Sequence, residues 1–233
     1  MGRLPCLHLK EMSLAMINNK EKQLIIVGAS GFGKEVAWLA TECQVQIKGF
    51  LDDDNNLKGE KVLDYEVLGN LNDSKDYLEC QFIVAIGSPR IRVNIVKKMI
   101  GMGVSSFGTL IHPSVSISQY TKIGAGTVIC AGNILTTDII IGEHCHINLS
   151  CTIGHDTIVK DYCTIAPQAI ISGNVRIHPG VEIGTGSAIR QGILLESGSM
   201  LGMGAVLTKN TEPNKIYIGA PAQAFKEMGK FEC

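Results

Sequence analysis

Six histidines are spread along the chain, and one of them, His155, is followed directly by an acid, Asp156. An imidazole takes up a proton readily near neutral pH, and a neighbouring carboxylate can fix its tautomer and steady the imidazolium. The pair is therefore a candidate general base. His144-x-His146, taken with His155, raises a second chemistry, a zinc-bound water, which needs three convergent ligands and an open fourth position. His112 and His178 each precede a proline and read as structural corner residues. The third feature is Gly28-Ala-Ser-Gly-Phe-Gly33, placed after the apolar run Gln23–Val27 and before a helical pattern over Lys34–Cys43. Glycines let backbone N–H groups approach a phosphate, and the start of a helix favours negative charge.

The scaffold that carries His155 shows itself as a period of six. Every sixth residue from Ile111 to Leu207 is Ile, Leu or Val, seventeen positions without a break. With about a quarter of residues of these types, chance gives such a run roughly once in ten billion for a fixed phase. Four residues after each aliphatic the residue is mostly small or β-branched and never charged or aromatic: Thr127, Cys145, Cys163, Val181 and Ser199 make one such column. Strands alternate faces, so both kinds point inward. This is a hexapeptide-repeat parallel β-helix, with 18 residues to a triangular coil and coils about 4.8 Å apart. Cys145 and Cys163 are vertical neighbours, expected as two reduced thiols rather than a disulfide. In this frame His155 and Asp156 take the third and fourth places of their hexad, at an outward corner. His146 takes a sixth place, just before an inward Ile147. The histidines therefore do not converge, and no metal is expected.

Residues 23–109 follow a different grammar. Strands over Gln23–Val27, Val45–Leu51 and Gln81–Ile86 alternate with helices, the second carrying Ile91, Ile95 and Met99 at helical spacing. Asp52 and Asp53 close the second strand, and Gly87 the third. This is a small Rossmann-like α/β unit, about half a full dinucleotide fold, and its G-x-x-G-x-G spacing differs from the dinucleotide fingerprint.

Composition narrows the function. A formal net charge of −1 offers no pull toward nucleic acid or anionic membranes, which points to a small substrate. No run supplies 18 uncharged apolar residues, and Lys10 and Glu11 interrupt any apolar stretch at the N-terminus, so no membrane insertion is expected. Eight cysteines without C-x-x-C pairs fit a reducing cytoplasm. The domain reading is a weakly ordered tail over 1–22, the Rossmann-like unit over 23–109, the β-helix over 110–212 and an extension over 213–233.

Taken together, Gly28–Gly33, Phe50-Leu-Asp-Asp53, Ala85-Ile-Gly87, Ile111-His-Pro-Ser114, Ile153-Gly-His-Asp156, Ser172-Gly-Asn174 and Gly219-Ala-Pro-Ala222 carry a resemblance running from Leu24 to Ala224. The chain resembles bacterial sugar acyltransferases of the sialic acid O-acetyltransferase type, which include N-acetyltransferases of nucleotide-linked amino sugars. The resemblance implies a left-handed helix, a homotrimer and active sites between subunits. It implies His155 as general base, Asp156 as its acidic companion and the Gly173 N–H as donor to the thioester oxygen of acetyl-CoA. The spacing of 18 between His155 and Gly173 agrees. It places a nucleotide-linked sugar at Gly31, Phe32, Gly33, Asp52, Asp53 and Gly87, and acetyl-CoA near Thr164, Gly184, Thr185, Gly202 and Met203. Some relatives carry His at the position of Phe32, and relatives often carry it at that of Thr164. The expected activity is acetyl-CoA-dependent N-acetylation of a nucleotide-linked 4-amino sugar. O-acetylation of sialic acid, a non-catalytic scaffold and a metal-dependent anhydrase are the alternatives. The nucleotide, the sugar and the acyl preference stay open.

Overall fold

A computed structural model describes residues 22–233. The tail reading over 1–22 therefore falls, but for its last residue, outside the described residues.

The N-terminal unit begins with β1 (Leu24–Val27), whose four residues are all buried, and α1 (Gly31–Glu42). There follow β2 (Ile47–Leu51), the hairpin β3 (Lys61–Val62) and β4 (Tyr65–Gly69), β5 (Gln81–Val84) and α2 (Pro89–Gly101). Strand order is β3-β4-β2-β1-β5, parallel except for the β3–β4 pair. Such a sheet is covered on both faces, so its strands are near-continuously apolar. The hairpin has no counterpart in the sequence reading, since its half-exposed strands lack a strong apolar signal.

One sequence expectation is corrected in α2. The buried stripe is Pro89, Arg92, Val93, Val96 and Met99, while Ile91 is exposed. Apolar spacing puts Ile91 on the inward stripe with Ile95 and Met99. The helix is instead rotated so that Arg92, fully buried, reaches backbone carbonyls of the β-helix.

From β6 (Leu110–Ile111) to β22 (Val206–Leu207) the chain forms seventeen two-residue strands, one per hexad, stacked in three parallel sheets. Partners lie 18 residues apart throughout: Ile134 faces Thr152, Ile140 faces Ile158, and His146 faces Thr164. The winding is that of a left-handed β-helix. Face 1 begins with β6, face 2 with β7 (Ser116–Ile117) and face 3 with β8 (Lys122–Ile123). β23 (Lys215–Ile218) and β24 (Gln223–Glu227) extend face 1.

The aliphatics and their small companions fill one continuous interior. Cys145 and Cys163 are free there, donating to the carbonyls of Lys160 (3.1 Å) and His178 (3.2 Å). From the third hexad on, each corner turns through a left-handed residue at the fourth place, filled by Gly, Asn, Asp or a tolerant polar residue, Asp156 (φ 59°) among them. Second-place glycines serve a separate need. A Cβ on Gly154 would lie 2.5 Å from the Gly173 nitrogen one coil above, so glycine lets the coils meet there.

The outward residues of face 1, Leu110, Val128, His146 and Thr164, are buried. Leu110 and Val128 join the core formed by β1, α1 and β2. Face 1 is thus the seat of the N-terminal unit, and faces 2 and 3 are left uncovered by it.

Candidate active site

His155 lies at the corner between faces 2 and 3, on the turn from β13 (Thr152–Ile153) to β14 (Ile158–Val159). Its Nδ1 is 2.7 Å from Asp156 Oδ2, with side-chain exposures of 54% and 59%. A carboxylate only accepts here, so Nδ1 carries the proton and Nε2 is left as the free basic nitrogen. The corner is braced from two directions. Asp156 N–H donates to the Thr137 carbonyl (3.2 Å), and Arg176 Nη1 donates to the Asp156 carbonyl (2.5 Å). Arg176 escaped the sequence reading because outward positions of a solenoid carry charge routinely.

Gly173 sits directly over the imidazole: a Cβ built on it would be 2.6 Å from His155 Nε2 and 2.7 Å from Cε1. Its amide donates no hydrogen bond among the described residues, because third-place N–H groups stand outside the inter-coil ladder. A donor without a partner and a basic nitrogen thus lie beside one another at this corner. That pairing suits proton removal from a nucleophile while an oxyanion is held.

The nucleotide-type residues lie at the carboxyl ends of β1, β2 and β5, around a cavity lined by Val27, Gly28, Leu51, Asp52, Asp53, Leu71, Ile86 and Ile95. Asp52 braces the glycine turn, accepting from Ala29 N–H (2.7 Å) and Asp54 N–H (2.9 Å), and Asp53 accepts from Leu71 N–H (2.9 Å). Gly33 is fixed by packing, for a Cβ there would collide with the Gly28 carbonyl. Gly31 and Gly87 have open space above them. Phe32 is turned away from the cavity, its ring centroid 4.9 Å from that of His146 on face 1.

Gly184, Thr185, Gly202 and Met203 come together at the corner between faces 1 and 2, where a Cβ on Gly184 would lie 2.5 Å from the Met203 nitrogen. Thr164 is set apart from them. It is buried on face 1, its hydroxyl donating to the Gly87 carbonyl (2.6 Å) and accepting from Arg92 Nη2 (3.0 Å).

Arg92 is the functional-looking residue that sequence reasoning missed. Its Nε donates to the His144 carbonyl (2.9 Å), Nη1 to Ile86 O (2.6 Å) and Gly87 O (3.1 Å), and Nη2 to Tyr162 O (2.9 Å) and Cys163 O (3.1 Å). Nη1 is also 3.1 Å from His146 Nδ1, which must accept because a guanidinium only donates. Burial and the Arg92 charge hold His146 neutral, far below the usual imidazole range. His144, stacked on Tyr162 at 5.2 Å, is pushed down to about 4, by burial first and Arg92 second. His144, His146 and His155 thus occupy separate places, and among the described residues no three His, Cys, Asp or Glu side chains form a metal-ligand set.

Buried neutral histidines make stability depend on acid. Between about pH 6.5, where an unfolded histidine protonates, and about pH 4 the unfolded chain binds more protons than the folded one. Stability is therefore whole above the upper value and falls as pH drops through the window, by on the order of 3 kcal/mol for His144 alone. Denaturant unfolding at pH 7.5 and pH 4.5 measures this, and His144→Phe is expected to reduce the difference.

A β-helix with an exposed His–Asp corner beneath a free amide, joined to an α/β unit with a nucleotide-type cavity, has the architecture of an acyltransferase for a sugar. Residues 23–99 match the PglD N-terminal domain family. GDP-perosamine N-acetyltransferase of Escherichia coli O157:H7 is 33% identical over 144 residues, covering 59% of this chain and 64% of that one. UDP-N-acetylbacillosamine N-acetyltransferase of Bacillus subtilis (strain 168) is 31% identical over 113 residues, covering 47% and 52%. The chain thus spans less than two thirds of the length of these curated relatives. The acetyltransferase domain of PglB from Neisseria gonorrhoeae FA1090, solved in complex with acetyl coenzyme A, superposes with a TM-score of 0.80 at 31% identity, over 88% of this chain and 99% of that one. The chain belongs to the hexapeptide-repeat sugar acyltransferases of the sialic acid O-acetyltransferase type, the family that includes nucleotide-linked amino-sugar N-acetyltransferases.

Proposed function

We propose that this protein transfers the acetyl group of acetyl-CoA to the amine of a nucleotide-linked amino sugar, with His155 as general base. The observation that carries the reading is the His155–Asp156 pair beneath the unbonded Gly173 amide. The amine attacks the thioester carbonyl and His155 Nε2 takes its proton. The Gly173 N–H holds the oxyanion that forms, and the tetrahedral centre collapses with cleavage of the C–S bond. The CoA thiolate leaves and recovers the proton from the imidazolium. Both relatives named for nucleotide-linked substrates are N-acetyltransferases, one for a GDP-linked and one for a UDP-linked sugar, which favours nitrogen over oxygen as the acceptor.

The placement of the parts supports assembly between copies. The N-terminal unit covers face 1, the Gly184–Met203 group lies at the corner of faces 1 and 2, and His155 lies at the corner of faces 2 and 3. Acceptor, cofactor and base therefore meet only when the His155 corner of one copy approaches the other corner of a second. Such a heterologous contact closes as a ring when its rotation does, and we infer a homotrimer from the three-faced helix and the family resemblance. Ile134 (47%), Ile170 (53%) and Val206 (38%) are exposed in a row on face 2 and Ile140 (42%) on face 3, beside the proposed contact. Among the described residues no helix is long and apolar enough to cross a membrane, and no disulfide is formed. We place the reaction in the cytoplasm, its product a sugar nucleotide ready for glycosyl transfer into a surface glycan.

The test is release of CoA thiol from acetyl-CoA with a panel of GDP-, UDP- and dTDP-linked 4-amino sugars and free sialic acid, with light scattering for assembly. Release with one amino sugar by a trimer is the expected result. Release with sialic acid alone moves the assignment to O-acetylation, and silence with no CoA binding leaves only a scaffold.

A further inference from the structure

The largest fully buried side chain is an arginine, and among the described residues no carboxylate forms an ion pair with it. Removing a guanidinium from water is costly, and an apolar side chain of similar volume would hold two units together at least as well. What a guanidinium adds is geometry, because its planar fork fixes the direction and distance of several acceptors at once. The acceptors of Arg92 belong to two groups. Ile86 O and Gly87 O are in the loop after β5, where Ile86 lines the nucleotide-type cavity. Tyr162 O, Cys163 O and the Thr164 hydroxyl are in the β-helix, and Thr164 itself closes back onto Gly87 O. The other nucleotide-type loop rests on the same point, since Phe32 packs on His146, whose Nδ1 meets Arg92.

We propose that Arg92 is a positioning residue for the acceptor sugar: its guanidinium fixes the Ile86–Gly87 loop at one height on the β-helix. This rests on the proposed acetyl transfer between copies. Thr164 follows His155 by nine residues, half a coil, so the two stand at nearly one level along the helix axis. In a ring of parallel copies, the loop that Arg92 holds then lies level with His155 of a neighbouring copy. A small tilt of the N-terminal unit would carry the amine off that level while leaving the cofactor groove, built from β-helix corners alone, unchanged.

Arg92→Lys keeps the charge and loses the fork; Arg92→Met loses both. In the full chain, each is expected to lower kcat/KM for the sugar nucleotide by about 10–100-fold, the cost of misplacement by an ångström or so, with KM for acetyl-CoA unchanged within about twofold. A residue that only held the units together would instead lower folded yield and Tm and leave both KM values in place. A second readout needs no turnover: in the unliganded protein, the hydrogen-bonded amides that flank the two loops, those of Lys34, Ala85 and residue 92, are expected to exchange hydrogen at least about tenfold faster in Arg92→Lys, with strands of face 1 unchanged. Wild-type kcat/KM for the sugar in Arg92→Lys, or unaltered exchange at those amides, overturns the assignment. If the wild-type protein acetylates no sugar on the panel, the proposed function fails while the exchange comparison still decides the role of Arg92.

Discussion

His155→Ala will lower the rate of acetyl transfer by about 10²–10⁴-fold, the range that removal of a positioned general base commonly costs, with both substrates still bound. The expectation is strong because the corner offers no substitute. Of the other histidines on the β-helix, His144 and His146 are buried and held neutral by burial and by Arg92, and His178 is paired with Glu196. Folding is not at stake: the imidazole is half exposed, and the interior beneath it is filled by Ile153 and Thr157. Asp156→Asn is expected to fall between the two, since it keeps a hydrogen-bond acceptor for Nδ1–H but loses the charge that steadies the imidazolium. Steady-state kinetics with Tm as control measures all three. Near wild-type turnover in a folded His155→Ala protein would remove this residue from the chemistry and with it the reading of the corner as catalytic.

The β-helix could be read residue by residue because in this fold packing is written directly into sequence order. Every sixth side chain points into the same narrow interior, so no long-range partner has to be guessed. Gly173 over His155 was legible for the same reason, as 18 residues return the chain to the same corner one coil higher. The N-terminal unit was read less completely. Its strands were found from apolar runs, but the hairpin Lys61–Gly69 is short and half exposed and has no such signature. Arg92 illustrates the deeper limit. Apolar spacing treats a charge as a surface residue, and only the folded chain shows the carbonyls of Ile86, Gly87, Tyr162 and Cys163 converging to receive it. Thr164 shows the same limit: the sequence places it on the β-helix but does not show the loop whose Gly87 carbonyl accepts from its hydroxyl.

Gly173→Ala is the sharper test of the site, because one methyl group is expected to act on one identified partner. The backbone at Gly173 does not adopt a left-handed conformation, so alanine brings no backbone strain of that kind. Its Cβ would come within 2.6–3.0 Å of three ring atoms of His155 and must push the imidazole aside. That ring is the exposed end of a side chain, which can move without disturbing the coils, so Tm is expected to hold. The amide of residue 173 remains, and the oxyanion donor with it. The loss, about 10²-fold, therefore reports displacement of the base from its line of attack. A double-mutant cycle makes this explicit. In a His155→Ala background the methyl meets no ring, and Gly173→Ala is expected to cost less than about threefold, so the two losses fail to add. Additive losses would mean that the methyl acts on the substrate or on the amide instead. No loss in the single variant would mean that His155 works from a different rotamer than the one stacked under Gly173.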